Sequence, residues 1–302
     1  MIVADLTLAS LRERLQHGLH LRTGPLVSCI TSPLPLLAES IALHYAEHTA
    51  EDGNGFADFH VRIDRPHNLR RWYRPQVHFF FDDTPSFHPL PADQAFPMLE
   101  WGLNWCVSNH CHQYLIIHAA VLEKHGKALL LPAPPGSGKS TLCAGLTHRG
   151  WRLLSDELAL IDPRSGRIVP LPRPVSLKNQ SIDILRAFAP DAIFNTTVDD
   201  TIKGSVAHMR APRESILREH ESAAPGWIVM PRFVAGNPPE LRPISRARGM
   251  MSLIENAFNF DLHGRAGFDT LGDFADQCSC YEFSYGTLEE AVTGCQQLAE
   301  GA

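Results

Sequence analysis

The stretch Leu131–Gly150 reads LPAPPGSGKSTLCAGLTHRG, and its second half decides the fold. Gly136, Ser137, Gly138, Lys139, Ser140 and Thr141 form the back of a phosphate-binding loop of the type G-x-x-x-x-G-K-[ST]. In such a loop the glycines let consecutive backbone N–H groups turn towards a β-phosphate, the lysine reaches the β and γ oxygens, and the next hydroxyl holds Mg²⁺. A helix starting at Lys139 adds the positive end of its dipole to the anion site. Ala133 stands where the pattern opens with glycine, but it sits at the strand exit, where alanine costs little if its φ is negative. Pro134 and Pro135 lack N–H donors and stiffen the approach. The expected nucleotide-binding segment is Pro135 to Thr141, and its work falls on Gly136 to Ser140.

Working outward, two apolar segments, YLIIHAAVLE and KALLLPA, are separated by KHG and predict a hairpin that feeds the loop. The helix KSTLCAGLTHR ends at Gly150, a residue suited to a C-terminal cap. Then comes WRLLSDELALID, two apolar strand halves with Asp156 and Glu157 between them. Alternation along a strand points these adjacent carboxylates to opposite faces, and burying either unpaired is expensive. One is expected to face a metal-bound nucleotide and the other an acceptor or a basic partner, because a kinase needs an acid at the metal and an acid near the attacking hydroxyl. His118, alone among aliphatics in LIIHAAVL, reads either as a hydrogen-bonded core residue or as a functional one.

The chain of 302 residues, 44% hydrophobic and 20% charged, belongs with ordinary globular proteins. A formal charge of -6 argues against a partner held by its phosphate backbone, since nucleic-acid binders present a basic face. No apolar run approaches the ~20 residues of a membrane span, and the N-terminus lacks the basic start and apolar core of a signal peptide. The expectation is a cytoplasmic protein with neither nucleic acid nor membrane as partner. Seven cysteines without framework spacing fit reduced thiols. CVSNHCH, Cys106 to His112, gathers thiols and imidazoles, but no second ligand pair with suitable spacing follows, so a helix end is expected rather than zinc. Cys278 and Cys280 are no more persuasive.

Before the hairpin, an amphipathic opening helix, the strand runs PLVSCI, FADFHVRI and QVHFFF, the helical PLLAESIALHYAEHT and a helix from about Ala95 to Asn109 describe a small α/β front domain. Beyond the acidic pair, PLPRPVSLKNQSID, TIKGSVAHMRAP and GWIVMPRFV read as short strands and loops, and the last ~50 residues as helical.

The order HAAV, hairpin, PPGSGKST, a helix ending HRG, then LLSDELALI resembles the catalytic domain of HPr kinase/phosphorylase, bacterial P-loop protein serine kinases. The similarity is greatest to the divergent HPr-kinase-related (HprK-related kinase A) group. It covers about Leu115 to Ile161 and extends loosely to Pro212. The resemblance implies an α/β fold with a P-loop kinase core of the PEP carboxykinase/HPr-kinase type over 111–302, and it leaves the N-terminal α/β domain, 1–110, unexplained. It implies ATP and Mg²⁺, with Lys139 and the loop on the phosphates, Ser140 and Glu157 at the metal, Asp156 as base towards a serine hydroxyl of a protein or peptide, and His118 assisting. Homo-oligomers are a further implication. The sequence departs from the family at Thr141, where an acid is usual, and at Glu157, where aspartate is usual. Lys203-Gly204 stands for Arg-Gly, with Asp199 or Asp200 as the accompanying acid. No segment linked to phosphorylase activity is visible. Arg173, Lys178, His208 and Arg210 are second-tier candidates for neutralising phosphate or gripping an acceptor. A small-molecule hydroxyl kinase and a nucleotide-dependent switch without phosphoryl transfer are the alternatives.

Overall fold

The computed structural model describes residues 1–301 apart from 52, 54 and 135, and these form a mixed α/β protein with three sheets. The first half starts with α1 (Leu8–His17), whose N-terminus is capped by the Thr7 hydroxyl accepting from Ser10 N. Then follow β1 (Leu19–Thr23), β2 (Leu26–Thr31), α2 (Pro35–His44), β3 (Ala50–Glu51), β4 (Phe59–Asp64), β5 (Gln76–Phe81), β6 (Thr84–Pro85), β7 (Leu90–Pro91) and α3 (Ala95–His110). The strands order as β3-β1-β2-β4-β5-β6 with β7 also on β5, and β2–β4 is the parallel pair. Helix α3 buries Phe96, Met98, Leu99, Glu100, Leu103, Cys106 and Val107. A helix apolar on so much of its circumference has protein on more than one side.

The second half opens with β8 (Leu115–Lys124) and β9 (Lys127–Pro132), an antiparallel hairpin closing Lys124 on Lys127. Its two turn residues, His125 and Gly126, have φ of 53° and 79°. Left-handed conformation at both central positions matches the right-handed twist of the strands. After α4 (Lys139–Thr147) come β10 (Arg152–Ser155) and β11 (Leu158–Ile161), both laid against β8. Then follow β12 (Ile168–Val169), β13 (Val175–Lys178), α5 (Gln180–Phe188), β14 (Val198–Thr201), β15 (Gly204–Met209), α6 (Arg213–Leu217), β16 (Ala224–Phe233), β17 (Glu240–Pro243), α7 (Arg246–Glu255), α8 (Phe260–Asp276), β18 (Ser279–Tyr285) and α9 (Leu288–Glu300). The large sheet runs β12-β11-β8-β9-β16-β18-β17, with β10 also on β8, and β13-β15-β14 form a small sheet. The parallel run is β9-β16-β18, so the loop after β9 opens at the carboxyl edge of parallel strands, where α/β sheets take their ligands.

The expectation of a helical C-terminal segment is corrected by β18. SCYEFSY buries Phe283 and Tyr285 on one face of the sheet and Cys280 on the other, a pattern too short to stand out between two amphipathic helices. Among the described residues three large hydrophobic clusters hold the layers. One face of the large sheet packs on α4, α5 and α9 through Leu129, Leu131, Leu142 and Val292. The other packs on α7 and α8 through Leu130, Leu253 and Phe274. The third joins the front sheet and α3 to Ile116, Leu158, Leu160 and Leu171, so one apolar core runs across both halves. Among the described residues no helix is long and apolar enough to cross a membrane.

Candidate functional site

The loop from Ala133 to Gly138 carries the chain from β9 into α4. Gly138 caps α4 in the left-handed region, φ 93°, and a Cβ there would lie 2.7 Å from the Tyr285 hydroxyl. Glycine is therefore required by both backbone and space. Gly136 is also left-handed, at 86°, whereas Ala133 is not among the positive-φ residues, and the alanine is unstrained as its strand-exit position predicts. The loop is tied down by Ser137 N donating to Pro134 O at 3.3 Å and by Phe233 N donating to Ser137 O at 3.2 Å. At the start of α4 the first N–H groups have no intrahelical acceptor, and the helix dipole makes this end attractive to an anion. Pro135, expected to belong to the binding segment, lies outside the described residues. A cleft of about 1070 Å³ opens beside the loop, lined by Ala133, Gly136, Ser137, Arg232, Phe233 and Asn237 among others.

Lys139, at the first position of α4, is buried and folds back towards β8. Its ammonium donates to Ala133 O at 3.1 Å and lies 2.7 Å from His118 Nε2. Burial lowers its pKa, against the raising effect of Glu157 and Asp156. The same His118 nitrogen is 3.1 Å from Glu157 Oε2. One ring nitrogen serves one partner at a time: bare, it accepts from the ammonium, and protonated, it donates to the carboxylate. His118 is thus half-buried in a polar chain, and its backbone N donates to Asn256 O at 2.7 Å. Lys178 on β13 completes the chain, with Nζ 4.0 Å from Glu157 Oε1. Burial would raise the Glu157 carboxyl, but the His118 hydrogen bond and the charges of Lys178, His118 and Lys139 outweigh it and hold the group below the ordinary range.

Asp156 is only 5% exposed. Its Oδ2 accepts from Ser176 N at 3.0 Å, and its Oδ1 has no partner among the described residues. Burial, then the charge of Glu157, pushes its pKa up, against the Ser176 N–H and the Lys139 and Lys178 charges. Two neighbouring carboxyls held apart in this way, one ionised and one inclined to hold a proton, are of the kind that can divide acid and base roles. The alternation argument fails here: instead of facing opposite sides, Asp156 and Glu157 both reach β13, at Ser176 and Lys178 respectively. The reason is local. The ladder slips at Leu154, between the Leu153 and Ser155 pairings, and between β10 and β11 the backbone bond to β8 is Ala119 N to Glu157 O, so side-chain direction is no longer set by regular pleating.

Ser140 and Thr141 follow Lys139 at the open end of α4, both half-buried. Lys203 sits in the turn joining β14 to β15, its ammonium 4.6 Å from the centre of the Trp101 ring, with its pKa lowered by burial and then by Lys178. Arg173 departs from its expected role on phosphate. Its guanidinium donates to Glu100 Oε2 and to Glu100 O, both at 2.9 Å, and Tyr45 donates to Glu100 Oε1 at 2.6 Å. This buried network ties α2 and α3 to the second half. His208 is fully buried, its ring 5.0 Å from that of Phe96, and burial followed by the Arg173 charge pushes its pKa down to about 3. Asp200 is exposed and contributes its carbonyl, 3.3 Å from Gln94 Nε2, while Arg210 pairs with Glu47 at 2.9 Å. All seven cysteines are free and buried, among the described residues no group of three or more histidines, cysteines and carboxylates could hold a metal ion, and α3 ends at His110, within CVSNHCH. Sequence reasoning missed Trp101, Asn104 and Ser176, which border the acidic pair and carry no local motif.

Residues 94–183 match the family model described as SynChlorMet cassette protein ScmC. That segment contains α3, His118, the loop, the acidic pair and Lys178. Among solved structures the chain is similar to the Hpr(Ser) kinase/phosphatase from Coxiella burnetii, at 13% identity over 62% of this chain and 99% of that one, with a TM-score of 0.27. No curated protein matches the chain.

Proposed function

We propose that the protein is an ATP-dependent kinase that transfers the γ-phosphoryl group to a hydroxyl, with a serine of a protein or peptide as acceptor. The observation that carries the proposal is the convergence, at the open end of α4, of Lys139, His118, Glu157 and the buried Asp156. In this reading the loop amides and Lys139 hold the β- and γ-phosphates, and Lys139 exchanges His118 and Ala133 O for phosphate oxygens. His118, released from the ammonium, donates to Glu157 and keeps it ionised. The nucleoside has room in the cleft beside Ser137, with Phe233 as an apolar wall.

The residues present suit Mg²⁺, which takes one or two carboxylates together with phosphate oxygens and water rather than an all-protein cage. The Ser140 hydroxyl and Glu157 would hold it, and the unpartnered Oδ1 of Asp156 is a further oxygen nearby. Bound there, the ion neutralises charge on the β- and γ-phosphates. The acceptor oxygen forms the bond to the γ-phosphorus, the bond from that phosphorus to the β-bridging oxygen breaks, ADP leaves, and the acceptor proton passes to Asp156. A base works best with a pKa near the working pH, and burial raises Asp156 in that direction.

The test is γ-labelled ATP with a mixture of serine-centred peptides, read by phosphoserine mass spectrometry. The parent is expected to label peptide, Lys139→Ala to lose nucleotide affinity, and Asp156→Asn to retain affinity and lose transfer. Tight ATP binding without any labelled acceptor would instead favour a nucleotide-dependent switch.

A further inference from the structure

One loop of the front half carries charge and apolar surface that the rest of the described chain leaves unanswered. The connection from β4 to β5 reads RPHNLRRWYR, Arg65 to Arg74, with four arginines and no carboxylate, in a chain whose formal charge is -6. Arg62, just before it, is engaged by Asp64 and Asp83. Among the described residues none of the four loop arginines forms an ion pair. Leu69, Trp72 and Tyr73 are 69%, 73% and 59% exposed. Large apolar side chains bared between guanidiniums match the composition of binding hot spots, where Trp, Tyr and Arg predominate.

The loop is also held in shape. Asn68 Oδ1 accepts from Arg70 N at 2.9 Å, Leu69 O accepts from Trp72 N at 3.1 Å and from Tyr73 N at 3.0 Å, and Arg74 turns the chain into Pro75 at φ 46°. A preformed loop loses little freedom on binding. Its root is linked to the candidate site. Pro75 O accepts from Ala92 N at 2.9 Å, Gln94 Nε2 donates to the Asp200 carbonyl of β14, and Lys203, in the turn that follows, covers Trp101, which borders the acidic pair. The mostly helical chain from Ala92 to Trp101 spans roughly 14 Å at ~1.5 Å per residue, and an extended peptide covers ~3.3 Å per residue. A segment of roughly ten residues therefore reaches from the acidic pair to the loop.

Guanidiniums pair with carboxylates through two parallel N–H bonds. A positive charge confined to one loop of an acidic chain suits a short acidic segment, whereas a nucleic acid calls for a basic face. The link to the acidic pair selects a peptide over a bilayer, which brings no serine to Asp156. Resting on the kinase reading, we propose that the Arg65–Arg74 loop docks an acidic segment of the peptide acceptor, within roughly ten residues of its serine. Arg70, Arg71 and Arg74 pair with the carboxylates, and Trp72 covers an apolar side chain between them. The front half then selects the acceptor, and the second half carries out the transfer.

The experiment uses dye-labelled peptides with one serine, a linker of about six residues and a tail in which leucine alternates with glutamate, glutamine or lysine. Binding is read by fluorescence anisotropy at about 0.05 and 0.5 M salt, and transfer by γ-labelled ATP. The parent is expected to bind the glutamate tail about 10-fold more tightly than the glutamine tail at low salt, to lose most of that preference at high salt, and to phosphorylate the glutamate peptide with a correspondingly lower KM. Arg70→Glu combined with Arg71→Glu should reverse the order in favour of the lysine tail. Trp72→Ala should weaken every tail about 10-fold and keep the order. ATP affinity by calorimetry at the parental value shows that the variants fold. Equal binding of the glutamate and glutamine tails by the parent, or an unchanged order in the double variant, overturns the docking loop while leaving the kinase reading intact. Loop-dependent binding of phosphatidylserine vesicles or of oligothymidylate that exceeds binding of the glutamate tail overturns it as well. Loop-dependent docking of the glutamate tail in a protein that labels no serine overturns the kinase reading, and the acceptor role of the segment with it.

Discussion

Removing the Glu100 carboxylate should separate α3 from the second half of the molecule. The Glu100 and Arg173 side chains are 4% and 8% exposed, and Glu100 accepts from two buried groups, the Arg173 guanidinium and the Tyr45 hydroxyl. Glu100→Ala leaves the guanidinium without its counter-charge, a change that costs ~3–5 kcal/mol. It also strands the Tyr45 hydroxyl, for about 1–3 kcal/mol. These costs overlap, because water entering the vacated space solvates both groups, so the expected loss is roughly 4–6 kcal/mol, a large part of the ~5–15 kcal/mol that holds a typical protein together. Glu100→Gln keeps the volume and an acceptor for Tyr45, and should lose less. The double change Glu100→Leu with Arg173→Met removes both charges and should recover most of the stability, since buried pairs are often replaceable by apolar residues of similar volume. Urea unfolding followed by tryptophan fluorescence measures all four proteins. A Glu100→Ala variant within ~1 kcal/mol of the parent, or a double variant no better than the single, would refute this account of how the halves are joined.

Phosphoryl transfer should rise with pH through an acid limb well above the ordinary ~4 of an aspartate, because burial and Glu157 raise Asp156; a pH–rate profile that is flat from pH 5 to 8 counts against Asp156 as base. Stability carries the opposite sign. The folded state holds the Asp156 proton to higher pH than the unfolded chain, so the Asp156 contribution to stability falls as pH rises from ~4 towards neutrality, and Asp156→Asn should gain on the parent at pH 8 relative to pH 5 in urea titrations. Gly138→Ala places a Cβ 2.7 Å from the Tyr285 hydroxyl at φ 93°, so it should cost about 1–3 kcal/mol of strain and weaken ATP binding in calorimetry, whereas Ala133→Gly, at an unstrained position, should leave affinity within ~2-fold.

The parts of this molecule legible in the sequence are those made by neighbours along the chain. KHG between two apolar runs reads as a hairpin, and His125 and Gly126 adopt the left-handed pair that such a turn needs. GSGKST reads as a strand-to-helix loop, with Ala133 outside the strained positions. What the sequence hid depends on distant contacts. No local signal says that Arg173 belongs to Glu100, 73 residues away, or that Trp101 lies beneath the Lys203 ammonium. The acidic pair was visible as chemistry, but its direction was not, because the slip of the ladder at Leu154 leaves no mark in a run of leucines. The same limit applies to β18, whose pairing with β16 overrides the helical character of its flanks.

The central claim is that Asp156 takes the acceptor proton while Lys139 and the loop hold ATP. A single-turnover quench-flow measurement of phosphoryl transfer to the serine-centred peptides, with enzyme in excess over γ-labelled ATP, isolates that chemical step. The account predicts that Asp156→Asn slows the transfer by roughly 10²–10⁴-fold at unchanged ATP affinity. Transfer at the parental rate by Asp156→Asn would contradict it.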